Sequence, residues 1–358
     1  MDSEEDRATL GVHGTSLALL PVVIPTDKIA GVLLGTALGD ALGLPHEGLG
    51  PEWIARRLRR APLDHQMLGR RGLISDDTEH AAMVARALVE SAGEVQAFSR
   101  AFARQLVRWV LALPPGVGLA TLRGSLRLLV NFSPERSGVR SAGNGPAMRA
   151  ALLGVCAVDD EHMAALVRAS TRVTHTDPRA EDGALLIAGI ARALARGLEV
   201  DASFAGEVRD PELRSRAQQA FAAAGETLED YRAMAGYSRG VSGFVVHTVP
   251  AAIYCWRRHH DDPEAAIEAA IRLGGDTDTV AAIVGALIGA EHGASDLPPR
   301  FVEGIRDWPL GVSQLHALAL GLGEGATLPT QAWAASLVRN LAVMLVIAWQ
   351  LLRRAAGR

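Results

Sequence analysis

From Thr279 to Ala290 the chain reads TVAAIVGALIGA, with no charge until Glu291. A helix this apolar on every side has no face to give to water, so other elements must surround it. Its mouth is the opposite: GGDTDT, residues 274–279, sets Asp276 and Asp278 among hydroxyls. A second run fits the same crowded interior. Gly31, Gly35, Gly39 and Gly43 recur every fourth residue, as do Gly285 and Gly289, so each set lines one ridge of a helix. An interior glycine costs a helix about 1 kcal/mol relative to alanine, so two regular ridges point to helices in close approach, a packing role.

The rest of the sequence supports a helical interior. Apolar residues make up 49% of the 358 and aromatics only 4%, so the core must be built from Ala, Leu, Val and Gly, which suits packed helices better than an aromatic-rich sheet. Apolar positions recur at three and four, as in Met83, Val84, Ala87 and Leu88, or Leu185, Leu186, Gly189 and Ile190. No alternating β-branched run stands out. Proline and glycine cluster at 113–118, 133–138, 175–178 and 296–299, and these short breaks read as loops inside one domain. The expected organisation is an N-terminal extension over 1–26, one compact all-α domain over 27–322, and an apolar helical extension over 323–358.

Charge and targeting signals narrow the function classes. A net charge of −4 gives no electrostatic reason to expect nucleic acid as a partner. The acidic start MDSEEDRATL makes Leu17–Ile24 a poor export signal. Cys156 and Cys255 stand far apart with no CxxC, so a reduced, cytoplasmic protein is expected. The apolar run Leu341–Trp349 falls short of the ~20 residues a bilayer span needs and is broken upstream by Arg339 and Asn340; it reads as a core or dimer-face helix.

A second acid-bearing mouth answers the first. GLISDDTEHAAMVARAL, residues 72–88, places Ser75, Asp76, Asp77 and Thr78 ahead of another amphipathic helix. The simpler reading is capping, since Ser, Thr and Asp accept hydrogen bonds from free helix N–H groups, and Asp76 with Glu79 fits a capping box. A cap uses one side chain, however, and these mouths spend four carboxylates. Gathered in an interior, such acids repel one another and lose hydration unless cations collect them. Arg149 and Arg272 are candidate cations. Hard divalent ions match better, because Mg²⁺ and Mn²⁺ prefer oxygen ligands, and no dense His or Cys cluster offers a competing zinc site.

Five blocks, in order, resemble the ADP-ribosylglycohydrolases, the family that includes the dinitrogenase-reductase-activating glycohydrolase and the ADP-ribosyl-acceptor hydrolases. They are GVLLGTALGDALGLPHEG (31–48), SDDT (75–78), GNGPAMRAALLG (143–154), THTDP (174–178) and LGGDTDTVAAIVGALIGAEHG (273–293), spread over roughly residues 28–320. The resemblance implies an all-α fold with a binuclear Mg²⁺ or Mn²⁺ centre in a cleft. It implies metal ligands at Ser75, Asp76 and Asp77 from one mouth and at Asp276, Asp278 and Thr279 from the other. Glu47 resembles an acidic residue placed beside the metals. Gly143, Asn144, Gly145 and Met148 match a loop lining the ADP-ribose site, and His175 matches a histidine near the substrate. Plainer roles stand beside these. Asn144 suits a tight turn, His175 a cap or loop, and Asp40 a partnership with an arginine.

The activity implied is hydrolysis of the glycosidic bond joining ADP-ribose to an arginine nitrogen or a serine oxygen of a protein. Two cations would hold the ribose hydroxyls and lower the pKa of a water, while Glu47, Asp77 or Asp278 serves as general base. Partners would be an ADP-ribosylated protein and a cognate ADP-ribosyltransferase, in a regulatory or an immunity setting. Two rivals remain at this level. Helical prenyl-diphosphate enzymes also gather Mg²⁺ on aspartates, but here position 80 of DDTEH is His80 and no glutamate follows Asp278 before Glu291. A binding module would hold ADP-ribose or occlude a partner without turnover.

Overall fold

The computed structural model describes residues 24–330 and 332–355. The expected extension over 1–26 and the run Leu17–Ile24 therefore lie largely outside the described residues. Among the described residues there is no strand, only isolated bridges between loops. The helices that position the site are α1 (Thr26–Gly43), α2 (Asp76–Ser91), α3 (Val95–Leu111), α4 (Pro178–Ala195), α5 (Val245–Arg258), α6 (Thr277–His292), α7 (Val312–Glu324) and α8 (Trp333–Ala355), with shorter helices between them.

The charge-free run of α6 is central. Every residue from Thr277 to Ala290 is buried, with α1, α4, α5 and the Pro263–Arg272 helix packed around it. The helix α1 is as deeply placed, buried from Ile29 to Gly43. With its short continuation to His46 it is long and apolar enough to cross a membrane, but it is almost wholly covered by the protein, which makes it a core helix.

The glycine ridges explain how these two helices meet. The backbone carbonyls of Gly289, Gly285 and Ala281 occupy the places where Cβ atoms on Gly31, Gly35 and Gly39 would be, and a Cβ on Gly43 would strike the backbone at Asp278. Rising numbers on α1 meet falling numbers on α6, so the pair is antiparallel. This brings the C-terminal end of α1, with Asp40, to the acid-bearing mouth of α6. The packing role read from the glycines is therefore also what places the acids.

The proline- and glycine-rich breaks fall between helices, though residues 133–138 form a one-turn helix, Pro134–Ser137, rather than a plain loop. The C-terminal apolar run lies within α8. Helix α8 is 23 residues long, and among its described side chains the buried ones lie on one side. Arg339, Asn340 and Val343 face the protein at 7%, 0% and 6% exposure, whereas Val338, Leu341, Leu345 and Leu352 are exposed. The two polar residues that interrupt the apolar pattern are thus its anchors.

Candidate metal and substrate site

The first mouth is held by hydrogen bonds from three directions. Ser75 is the N-cap of α2, its hydroxyl accepting from Asp77 N at 3.2 Å. From α1, Asp40 accepts from the amides of Ser75 (2.8 Å) and Thr78 (3.2 Å) and from the Thr78 hydroxyl. The capping box expected from Asp76 and Glu79 does not form. The cap is Ser75, and Glu79 instead accepts from Trp109 Nε1 at 2.6 Å and pairs with Arg339 at 3.4 Å. Asp40 likewise has no direct arginine partner; the backbone of the first mouth takes its place.

The second mouth is made by backbone. Gly274 and Gly275 have φ of 73° and 81°, a left-handed turn that favours glycine, and a Cβ on Gly275 would overlap Val241. The turn is tied to its neighbours by Gly275 N to Leu49 O (2.9 Å), Gly48 N to Gly275 O (2.8 Å) and Asp276 N to Val241 O (2.8 Å). Thr277 donates to Gly43 O at 2.9 Å, locking α6 onto the end of α1. Asp276 is the N-cap residue of α6, yet its side chain makes no capping bond.

The two mouths meet. Thr279 of α6 donates to Asp77 Oδ2 of α2 at 3.2 Å, across 202 residues of sequence. Asp40, Asp77 and Asp278, all buried, each offer a carboxylate oxygen, and these atoms lie within 4.8 Å of one another. The other oxygen of Asp77 is buried with no hydrogen-bond partner. Burial pushes the Asp77 and Asp278 carboxyls well above their usual range, and repulsion adds to it: from Asp40, Asp76 and Asp276 on Asp77, and from Glu47, Asp276, Asp77 and Asp40 on Asp278. Partly buried Asp76 is raised for the same reasons.

Neither candidate arginine neutralises this charge by direct contact. The guanidinium of Arg149 is spent on Ser170, Thr174, Gly145 O and His80, and Arg272 pairs with Glu268 on its own helix. An all-oxygen donor set with an unpartnered buried oxygen is the environment a hard divalent cation relieves.

The remaining predicted residues surround the acids. Asp276 sits beside the three-aspartate group, its Oδ2 accepting from Asn144 Nδ2 at 2.6 Å. Asn144 is held in turn by Thr248 at 3.0 Å, so its role exceeds that of a turn former. Gly143 and Gly145 border the His175 ring: Cβ atoms on them would lie 3.0 Å and 3.2 Å from it. Met148 closes the short helix that follows and is buried. His175 is itself buried; burial first, then nearby Arg149, pushes its pKa down to about 3, so the ring is neutral at ordinary pH. The cap of α4 is Asp177, not His175. Glu47 follows the turn Leu44–His46 and is exposed, close enough to Asp278 to be the first charge that perturbs it.

Residues 22–332 match the family model for ADP-ribosylglycohydrolase. The chain belongs to this family. ADP-ribosylglycohydrolases are glycosidic-bond hydrolases, and relatives carry that activity in their names. ADP-ribosylhydrolase ARH3 of Bos taurus is 27% identical over 340 residues, covering 81% of this chain and 92% of its own. The ADP-ribosyl-[dinitrogen reductase] glycohydrolase of Rhodospirillum rubrum is 27% identical over 284 residues, covering 76% and 88%. ADP-ribosylarginine hydrolase Tri1 of Pseudomonas putida is 30% identical over 311 residues, covering 81% and 76%. A solved structure described as an ADP-ribosylglycohydrolase-related protein complex superposes with a TM-score of 0.64 at 27% identity, over 84% of this chain and 99% of that one.

Asp40 is the member of the three-aspartate group that the sequence pattern marks least. Its signal was present: the one acid between Lys28 and Pro45, one position beyond Gly39 on the ridge. Reading it required knowing that the ridge ends against the second mouth.

Proposed function

We propose that the chain is a metal-dependent hydrolase that removes mono-ADP-ribose from modified protein side chains, with its catalytic unit in residues 27–322. The observation that carries this reading is Asp77: one oxygen bonded to Thr279 of the other mouth, the other buried without a partner, in a group with Asp40 and Asp278. Ser75, Asp76 and Asp77 from one side and Asp276, Asp278 and Thr279 from the other would hold two Mg²⁺ or Mn²⁺ ions at the base of a cleft. Such ions supply Lewis acidity, fixing ribose hydroxyls and easing loss of a proton from water.

The chain's own residues supply the rest. The loop Gly143–Asn144–Gly145, with Met148 behind it, would receive ADP-ribose, its glycines leaving room for the ligand beside His175. Neutral His175 offers a hydrogen bond without adding positive charge near the oxocarbenium-like carbon. Glu47, exposed at the rim, or a site aspartate takes the proton from the attacking water as its oxygen bonds to the anomeric carbon. The bond to the acceptor breaks with its electron pair staying on the arginine nitrogen or serine oxygen, which takes up a proton as the carboxylate gives up, through solvent, the one it took from water. A transferase that modifies the same side chain would supply the substrate.

The test is release of free ADP-ribose from arginine-modified and serine-modified protein, with added Mg²⁺ or Mn²⁺ and again after chelation. Release from at least one substrate, lost on chelation and restored by the ion, is expected. Release that survives thorough chelation overturns the metal assignment. Tight ADP-ribose binding with no release on either substrate would move the reading to a binding module.

A further inference from the structure

The family match ends at residue 332, and α8 begins at Trp333. Yet this helix reaches the base of the first acid mouth. Arg339, only 7% exposed, donates to Ile74 O at 2.6 Å and grips both oxygens of Asp307, with Nε at 3.0 Å from Oδ1. Asp307 Oδ2 accepts in turn from Ile74 N at 2.9 Å. The backbone of Ile74 is therefore held at its N–H and its carbonyl by one ion pair. Arg339 also reaches Glu79 Oε1 at 3.4 Å, so it braces both ends of Ser75–Thr78, the stretch that carries the first set of acids.

The neighbours of Arg339 fix α8 in this place. Asn340 donates to Ala112 O at 2.9 Å just past α3, Trp333 Nε1 donates to Arg108 O at 2.9 Å, and Arg86 of α2 donates to Pro329 O at 2.9 Å. A bidentate arginine–carboxylate pair fixes direction as well as distance, which a lysine or a backbone contact would not. Side chains that orient ligands without touching a metal are worth roughly 10- to 100-fold in metal affinity.

We propose that Arg339 is a positioning residue and that α8 is a clamp, which fixes Ser75, Asp76 and Asp77 in the geometry that binds cation. The affinity half of this inference rests on the metal-site reading above; the rigidity half does not. The experiment compares wild type, Arg339→Gln and Arg339→Lys as full-length chains. Mn²⁺ affinity is read by titration calorimetry, amide hydrogen exchange over residues 74–79 by mass spectrometry, and helix content by circular dichroism.

With helix content unchanged, Arg339→Gln is expected to exchange faster over 74–79 and to bind Mn²⁺ roughly 10- to 100-fold more weakly. Arg339→Lys should fall between the two. Equal exchange and equal Mn²⁺ affinity in a folded Arg339→Gln chain overturn the proposal. Should that variant fail to fold because Asp307 is left unpaired, Arg339→Leu/Asp307→Leu removes both charges and is read the same way. If wild type binds no Mn²⁺, the metal reading falls, and exchange over 74–79 alone decides the clamp.

Discussion

The two acid-bearing mouths look alike in sequence, each a pair of aspartates among hydroxyls ahead of a helix, but they meet the needs of a helix start differently. At the first, Ser75 and the remote Asp40 satisfy the free amides, which releases Asp76 and Asp77 from capping. At the second, Asp276 stands at the N-cap position without capping, turned instead to Asn144, while Asp278 accepts from Thr279 N at 3.0 Å. Capping and metal binding are therefore not alternatives for a whole motif. One mouth divides the tasks among its residues, and the other forgoes the cap.

The largest effect should come where the mouths touch. Asp77→Ala and Asp278→Ala each remove a member of the three-aspartate group. Both are expected to lower ADP-ribose release well beyond the roughly 10- to 100-fold typical of a residue that only orients a ligand, with helix content preserved. If activity fell only in step with loss of helical signal, the acids would be structural and the two mouths equivalent after all.

The next effect tests what brings the second mouth to the first. A Cβ on Gly35 meets the Gly285 carbonyl, backbone against backbone, with no flexible side chain to yield. Gly35→Ala is expected to cost about 3 kcal/mol or more in urea unfolding, at or past the upper end of usual overpacking penalties. Gly189→Ala in α4 is the control. Its Cβ would meet nothing within 4 Å, so the helix should be unchanged or gain up to about 1 kcal/mol. Equal responses at the two glycines would mean that the ridge is not what aligns the mouths.

These contrasts also mark how far the sequence could be read. The acids, the hydroxyls and the ridges were legible because each is a local pattern with a local cause: helical spacing, free amides, crowding. Antiparallel pairing of the ridges was not, since glycines at a spacing of four fit either direction. Asp40 was undersold for that reason. Glu79 fits a capping box, which is a local pattern too, but in the fold Trp109 and Arg339 claim it, the latter 260 residues away. Arg339 looks like a break in an apolar run, and its partners lie in two distant loops and on α2.

The smallest effects separate the mouths by their caps. In metal-free protein, Ser75→Ala removes a capping hydroxyl and should cost about 1 kcal/mol of stability. Asp276→Ala removes no cap, and its effect should depend on pH. Burial raises the Asp276 carboxyl above its ordinary value, although bonds from Asn144 and its neighbours pull the other way. A carboxyl raised in the folded state binds a proton more tightly there than in the unfolded chain. Its contribution is intact below the unfolded pKa, near pH 4, and is lost as pH rises through the folded value. In metal-free protein at neutral pH, Asp276→Ala should therefore be at least as stable as wild type, with any advantage vanishing by about pH 4. Added Mn²⁺ should reverse the order, because wild type gains binding energy that the variant loses. Thermal unfolding at several pH values, with and without Mn²⁺, reads both variants. A cost for Asp276→Ala that matched Ser75→Ala at every pH and ignored Mn²⁺ would make Asp276 an ordinary cap and erase the distinction between the mouths.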